Sequence, residues 1–311
     1  MKILNFGSCN IDYVYELSHI VKPGETTKAY SLTRFPGGKG LNQSIALAKS
    51  GITVYHAGCI GNDGGFLKET LMDCGVDTRY IKVNDDVCTG HAIIQLDKNG
   101  ENCIIIHHGA NYQIEKSYID TVFESFASGD VLLLQNEICN LEYLIEKGYE
   151  KNMKIVLNPS PFVKSLCEID LNKISVLILN EIEAQSLTGE TEIEKIKEYI
   201  ISNYNNLNVV LTLGGKGSVY LSKNQVEYCP AFPVDVVDTT AAGDTFTGYF
   251  ISATTQGVTI KNSLQLASVA AGLAVSKKGA SSSIPNIDET NEALLHFKER
   301  LFKNAQTTQN E

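Results

Sequence analysis

The sequence holds no two cysteines close enough to form a Cys-x-x-Cys unit: the eight lie at 9, 59, 74, 88, 103, 139, 167 and 229. Most sit inside apolar runs, which argues against a disulfide-stapled scaffold and for the buried, reduced thiols of a cytoplasmic protein. The six histidines are scattered apart from His107-His108, so the ligand spacing of a zinc site is missing too. Basic residues are outnumbered, 26 against 36, and the net charge of −10 argues against a nucleic-acid platform. It leaves open the binding of one small anion by a few local donors. The N-terminus lacks the apolar core and cleavage site of a signal peptide. The uncharged run Asn262–Ser276 is shorter than the roughly 20 residues a membrane span needs. No internal repeat or low-complexity linker interrupts the chain. What remains, with 43% hydrophobic and 20% charged residues, is ample for a packed core.

Short apolar runs of strand length recur at Ile3–Phe6, Val54–Ile60, Val131–Leu134, Ile155–Leu157, Val176–Leu179 and Val209–Leu213. Such runs suit strands covered on both faces. Helix-period segments lie among them, including Leu41–Ser50, Phe66–Cys74 and Glu181–Leu187, each followed by a glycine (Gly51, Gly75, Gly189) as helix stops often are. The alternation predicts an α/β fold with a mostly parallel central sheet and helices on both faces. Two segments break the rhythm: 13–17 with 27–35, and 89–97 with 102–107 alternate polar and apolar residues, and Asn99-Gly100 favours a hairpin turn. They predict a small antiparallel β lid, made from segments of approximately 11–35 and 88–111 within one domain of 1–311. From Ala242 onward the sequence reads as helices, and 305–311 is polar and expected to fray.

Four glycine-rich or polar stretches are candidates for chemistry. In Asp238-Thr-Thr-Ala241-Ala242-Gly243-Asp244, small residues open a helical pattern. Backbone N–H groups and the helix dipole there suit an anion, with the Asp244 carboxylate beside it to accept a proton. That pairing fits phosphoryl transfer, but an ordinary helix start with an N-terminal acid accounts for it equally well. Phe35-Pro-Gly37-Gly38-Lys39-Gly40-Leu-Asn42 combines glycines that permit close backbone approach with two donors suited to hydroxyls; alone, it is equally a flexible turn. Thr212-Leu-Gly214-Gly215-Lys216-Gly217 ends a strand where open α/β sheets hold nucleotides, or forms a hairpin into Val219–Leu221. Asn180 and Glu183, one helical turn apart, either face phosphates and a water-clad Mg²⁺ or form a cap. Asn10 and Asp12 follow the first strand and suit vicinal hydroxyls, or merely a turn. Neither Gly-x-Gly-x-x-Gly after the first strand nor Gly-x-x-x-x-Gly-Lys-Ser/Thr is present, which weakens a nicotinamide-dehydrogenase reading and excludes a P-loop.

Taken together, Gly37-Gly38-Lys39-Gly40-x-Asn42-x-Ser44 with Gly51 and Gly61, and the later Asp238–Asp244 run, resemble the two motifs of the ribokinase-like (phosphofructokinase-B type) carbohydrate kinase family. The likeness extends from Asn5 to Pro285, through Thr89-Gly90, Gly109-Ala110-Asn111, Asn180-x-x-Glu183 and Lys278-Gly279-Ala280. It implies an ATP-dependent sugar kinase, with D-ribose the expected acceptor and ribose 5-phosphate the product. Asn10, Asp12, Gly38, Lys39, Asn42 and Glu137 match its sugar-binding positions. Asp244 matches the base, and Ala241, Ala242 and Gly243 the anion hole. Asn180, Glu183, Thr212, Gly214, Gly217 and Ser268 match positions near the nucleotide and Mg²⁺. Asp238, Thr240, Ala274, Lys277, Gly279 and Ser283 match the loop pair holding a monovalent cation, K⁺. The resemblance also implies a homodimer paired through the lid. The chain departs from the pattern at Tyr249, Ile138-Cys139 and Ser268. Fructose, a ketodeoxy sugar acid or a nucleoside stay open as acceptors, as does a non-catalytic sugar or nucleotide sensor. A sugar phosphate would call for an Arg cluster that these motifs lack.

Overall fold

The computed structural model describes residues 1–308. In chain order, β1 (Ile3–Phe6) leads into β2 (Asn10–Leu17) and β3 (Ser31–Gly37), then α1 (Lys39–Lys49), β4 (Val54–Gly61), α2 (Gly65–Asp73) and β5 (Asp77–Asn84). Next come β6 (Gly90–Asp97), β7 (Asn102–His107), α3 (Lys116–Phe123), β8 (Val131–Gln135), α4 (Leu141–Glu150) and β9 (Lys154–Asn158). The second half holds β10 (Val176–Asn180), α5 (Glu181–Thr188), α6 (Ile193–Asn203), β11 (Asn208–Thr212), β12 (Ser218–Leu221) and β13 (Val226–Cys229). It closes with α7 (Ala242–Thr255), α8 (Ile260–Val275) and α9 (Ile287–Thr308), helices throughout as the sequence suggests. Helical backbone thus reaches Thr308, into the segment expected to fray; the remaining residues, 309–311, lie outside the described ones.

The large sheet has the order β13-β12-β11-β10-β9-β8-β1-β4-β5 and is parallel except for β12 and β13 at one edge. Side chains alternate through it as a pleated strand requires. Leu4 and Phe6 of β1, with Leu132 and Leu134 of β8, pack among residues of α3 to α6. Ile3, Val131 and Leu133 point the other way, into a second core with α1, α2, α7, α8 and α9. Two covered faces explain why these strands are nearly all apolar in sequence.

The small sheet has the order β3-β2-β6-β7. β2–β3 and β6–β7 are antiparallel ribbons, as expected, and they join through a parallel β2–β6 ladder running from Asn10↔Gly90 to Leu17↔Asp97. The first ribbon is shorter than its sequence pattern suggests, since β3 starts at Ser31 and 27–30 is irregular. The predicted turn between β6 and β7 has Gly100 at φ +85°, the left-handed region that glycine tolerates. β7 is exposed along its whole length. Tyr249, the bulky departure in the second motif, is buried in α7 and donates its hydroxyl to the Pro285 carbonyl at 2.8 Å.

Candidate active site

β1 lies between β4 and β8, so the strand order reverses there. The crevice beyond the carboxyl ends of such strands is where open α/β sheets hold ligands. The small sheet springs from the same point: Asn10, three residues after Gly7, is the first residue of β2, and its register partners are Gly37 and Gly90. Asn10 and Asp12 are therefore ladder residues at the root of the small sheet, and not turn formers. Asn10 is buried and its Oδ1 accepts a hydrogen bond from Asn111 Nδ2 at 2.7 Å. Both glycine partners make room for polar side chains. A Cβ on Gly37 would stand 2.1 Å from Asp12 Oδ2, and one on Gly90 would stand 2.5 Å from Asn10 Oδ1.

Gly38 opens α1 at φ +95°, a backbone only glycine adopts without strain, and so turns the Lys39 amide onto the Glu137 carboxylate at 2.9 Å. Ser8 Oγ donates to the same Glu137 oxygen. These two donors orient Glu137 although Ile138 and Cys139 follow it. Burial, and then the neighbouring Glu137, raise the Asp12 carboxyl to about 7. Burial likewise raises Glu137, against the opposing pull of Lys39 and Ser8. At Lys39 burial works against the charge, but Asp244, Glu137 and Glu183 outweigh it and hold the ammonium above its ordinary range. One cation thus serves three carboxylates arriving from different elements.

Asp244 sits in the first turn of α7 and is 6% exposed. Its Oδ2 accepts from Asn42 Nδ2 at 3.1 Å, and its Oδ1 from Gln43 Nε2 at 2.9 Å. Close helix packing makes this possible: a Cβ on Gly248 of α7 would lie 2.4 Å from Ala46 Cβ of α1. Asn42 is 5% exposed, and its Oδ1 has no partner among the described residues. A buried acceptor of this kind calls for a donor. Ala241 precedes α7 at φ +59° and no side chain caps the helix. The Ala242 amide leans on Thr239 O at 3.3 Å, leaving Gly243 and Asp244 as the first-turn amides best suited to an anion.

The remaining candidates lie at the carboxyl ends of β10 and β11, along α8 and in the loops that flank α7 and α8. Asn180 and Glu183 form a reciprocal capping box on α5, at 2.9 and 3.0 Å. The capping alternative is therefore correct, and it leaves the Asn180 amide group exposed beside the crevice. Thr212 donates to Leu179 O. Gly214 and Gly217, at φ +53° and +107°, turn the chain into β12, as the hairpin alternative supposed. A Cβ on Gly217 would meet Cys229 O at 2.1 Å, and Ser268 Oγ donates to the adjacent Pro230 O, so Gly217 and Ser268 border one wall. In the loop before α7, Asp238 accepts from the amide and hydroxyl of Thr240 and from the Gly279 amide. Burial opposes its charge, yet these donors hold the Asp238 carboxyl below the usual range. Ala274 is buried at the end of α8, Ser283 donates to Ala280 O, and Lys277 reaches out to Glu289. The expected loop pair is thus tied together through one carboxylate, with Lys277 facing away in an ion pair.

Sequence reasoning missed Ser8, Gln43 and Asn111 as functional neighbours, and it missed a row of buried polar residues beneath α1: Asn5, His56, Gln135 and the half-buried Asn158. The available signal was a polar residue in step with the alternation of an otherwise apolar strand.

A family profile described as pfkB family carbohydrate kinase matches residues 1–287. A ribokinase of Haemophilus influenzae is 35% identical over 298 residues, covering 93% of this chain and 97% of that protein. A deoxyribokinase of Salmonella typhi is 31% identical over 305 residues, covering 94% and 99%. Among solved structures, a ribokinase of Arabidopsis thaliana complexed with ribose and ATP superposes with a TM-score of 0.85 at 31% identity, covering 94% of this chain and 98% of that one. With the profile match, the identities and the shared architecture in agreement, the chain belongs to the pfkB family of carbohydrate kinases, phosphotransferases that act on a hydroxyl group.

Proposed function

We propose that the protein transfers the γ-phosphoryl group of ATP to the primary hydroxyl of D-ribose, giving ribose 5-phosphate and ADP. The observation that carries this reading is the buried Asn42–Asp244 pair: an acceptor without a partner among the described residues, beside a carboxylate, at the uncapped start of a helix. Asn10, Asp12, Lys39, Asn42 and Glu137 bind the sugar hydroxyls, with Gly38 giving the backbone room. Asp244 takes the hydroxyl proton as the oxygen attacks the γ-phosphorus, and the first-turn amides of Gly243 and Asp244, exposed by the turn at Ala241 and Ala242, stabilise the charge that develops. Asn180, Thr212, Gly214, Gly217 and Ser268 form the nucleotide wall. Glu183 and Asn180 suit a hydrated Mg²⁺ carried by the phosphates, since Glu183 is close enough to the cleft to act on Lys39. When bound, Mg²⁺ neutralises phosphate charge.

The Asp238 carboxylate, drawing together the loops of Thr240 and Gly279, suits a monovalent cation such as K⁺ with Ala274, Lys277 and Ser283 contributing backbone oxygens. That ion would order the loop before Ala241. One kinase domain over 1–311, with segments 11–35 and 88–111 as its lid, follows from this reading. So does a homodimer through the lid, supported by β7, where Ile104, Ile105 and Ile106 are each at least half exposed. Eight free cysteines suit the cytoplasm, although only Cys9, Cys59 and Cys229 are buried, against the expectation of buried thiols, and no described helix is long and apolar enough to cross a membrane.

The deoxyribokinase relative gives 2-deoxyribose standing as a second acceptor. An ADP-release assay over pentoses, deoxypentoses, hexoses, sugar acids and nucleosides, with and without K⁺, separates them. Ribose is expected to turn over with the highest kcat/KM and to require K⁺. A better acceptor replaces ribose, and ligand-dependent stabilisation with no turnover anywhere makes the protein a sensor.

A further inference from the structure

The deepest polar feature of the molecule is not in the cleft but behind it. Gln43 follows Asn42 on α1, is wholly buried, and donates from Nε2 to Asp244 Oδ1 at 2.9 Å and to Asn158 Oδ1 at 3.1 Å. Its own Oε1 accepts from Gln135 Nε2 at 2.7 Å. That same nitrogen of Gln135 donates to Asn5 Oδ1 at 2.9 Å, and Asn5 Nδ2 donates to Gly40 O and Ser44 Oγ, both at 2.8 Å. Ser44 Oγ meets His56 Nδ1 at 2.8 Å. The chain of contacts therefore runs from the helix that carries Asp244, through α1, into β8, β1 and β4.

Directionality gives the chain its meaning. An amide turned by 180° exchanges a donor for an acceptor, so a flipped Gln43 would set its oxygen against the Asp244 carboxylate. Gln135 forbids the flip by donating to Gln43 Oε1, and Asn5 fixes Gln135 in turn. At the far end Asn5 is held in turn by the Gly40 carbonyl, which can only accept, while burial lowers His56 to about 4 and keeps its ring neutral beside Ser44. A packed, apolar core would be cheaper here, since buried polar groups cost free energy unless every partner is present, and the Gln135 Oε1 has none among the described residues. Asn42 also holds Asp244, but its oxygen has no partner among the described residues and, in the proposed function, meets the sugar, so Asn42 must share its position with the ligand. Gln43 touches no part of the cleft that the proposed sugar occupies.

We propose that Gln43 is the positioning residue of the base: oriented by Gln135 and Asn5, it anchors one oxygen of Asp244 to the central sheet so that the other is aimed at the acceptor hydroxyl. This rests on Asp244 acting as the base. A misplacement of about 1 Å can cost on the order of 10²-fold in rate, so loss of the anchor should appear in kcat and leave ground-state sugar binding alone.

The test measures kcat and KM with ATP and D-ribose for Gln43→Met, Gln135→Met, the double variant and Asp244→Asn, with unfolding followed for each. Gln43→Met should lower kcat about ten- to hundredfold with KM for ribose within about twofold of the parent. Gln135→Met should do the same more weakly, and the double variant should be no slower than Gln43→Met, because Gln135 acts only through Gln43. A folded Gln43→Met with unchanged kcat, or one that raises KM alone, overturns the proposal while Asp244→Asn inactivity keeps the base reading standing. An active Asp244→Asn overturns that reading, and the proposal with it. If Gln43→Met does not fold, Gln135→Glu keeps the side-chain shape but sets an acceptor against Gln43 Oε1; full activity in that variant counts against the relay. Unfolding reads the contact without turnover: Tm shifts of Gln43→Met and Asp244→Asn should be non-additive, and simple additivity refutes it.

Discussion

Acidification between pH 8 and pH 6 should weaken sugar binding, and Asp12 is the residue responsible. Its carboxyl is carried from the ordinary 3.8 to about 7 by burial and by Glu137, so the folded protein disfavours the ionised form by about 4 kcal/mol. The folded value lies above the unfolded one. Protonated Asp12 therefore favours folding below about pH 4, and that contribution is lost as pH rises towards about 7, beyond which the group is ionised in the native protein. In the proposed complex sugar hydroxyls donate to the ionised carboxylate, so binding would select the deprotonated form. KM for ribose should accordingly rise about tenfold between pH 8 and pH 6, the change expected for one group titrating near 7. Glu137, Lys39 and Asp244 surround the same cleft, and Asp12→Asn isolates the contribution: its KM should be higher at pH 8 but nearly flat over that interval. Initial rates at saturating ATP, with ribose varied at each pH, supply the measurement. A flat wild-type KM, or an undiminished slope in Asp12→Asn, would refute the assignment of this titration to Asp12.

Asp244→Asn should lower kcat about 10²- to 10⁴-fold while the fold persists, as judged by thermal unfolding and single-turnover ADP release. Gly37→Ala should push the Asp12 carboxylate aside, since the added methyl would stand 2.1 Å from its oxygen; KM for ribose should rise at least about tenfold, with kcat less affected. Gly40→Ala meets only backbone, at 2.3 Å from Ser8 N, so its cost should be stability, about 1–3 kcal/mol by chemical denaturation. Asp238→Ala should remove the dependence of rate on K⁺ in a salt titration at constant ionic strength, because the donors it gathers lose their common acceptor.

The central sheet was legible because strands buried on both faces leave almost no choice of residue: β1, β8, β10 and β11 are apolar nearly throughout. β5, at the sheet edge, reads Asp-Thr-Arg-Tyr-Ile-Lys-Val-Asn, and its exposed charges hide it from a search for apolar runs. The parallel joining of β2 to β6 could not be read either, since alternation reports which face is buried and not which strand is the neighbour. Within the site, glycines announced close approaches at Gly37, Gly38 and Gly217, and the small residues before Asp244 announced an uncapped helix start. Gln43 gave no comparable signal, and Gln135 only that of a polar residue closing an apolar strand. A buried glutamine is informative only once its partners are known, and these partners come from strands more than 90 positions away.

The row Gly37–Asn10–Gly90 joins the two ribbons of the small sheet at its root, and Asn10, the middle of that row, is also one of the side chains proposed to bind the sugar. The joint of the small sheet and its proposed recognition residue are therefore one residue set. A substitution at Asn10 or Asp12 that retunes the choice among pentoses would also disturb the pairing that joins the two ribbons. Directed changes of acceptor should meet this constraint at once: a larger side chain at Asn10 or Asp12 presses on Gly37 or Gly90, so variants that accept a new sugar should also lose stability in the small sheet.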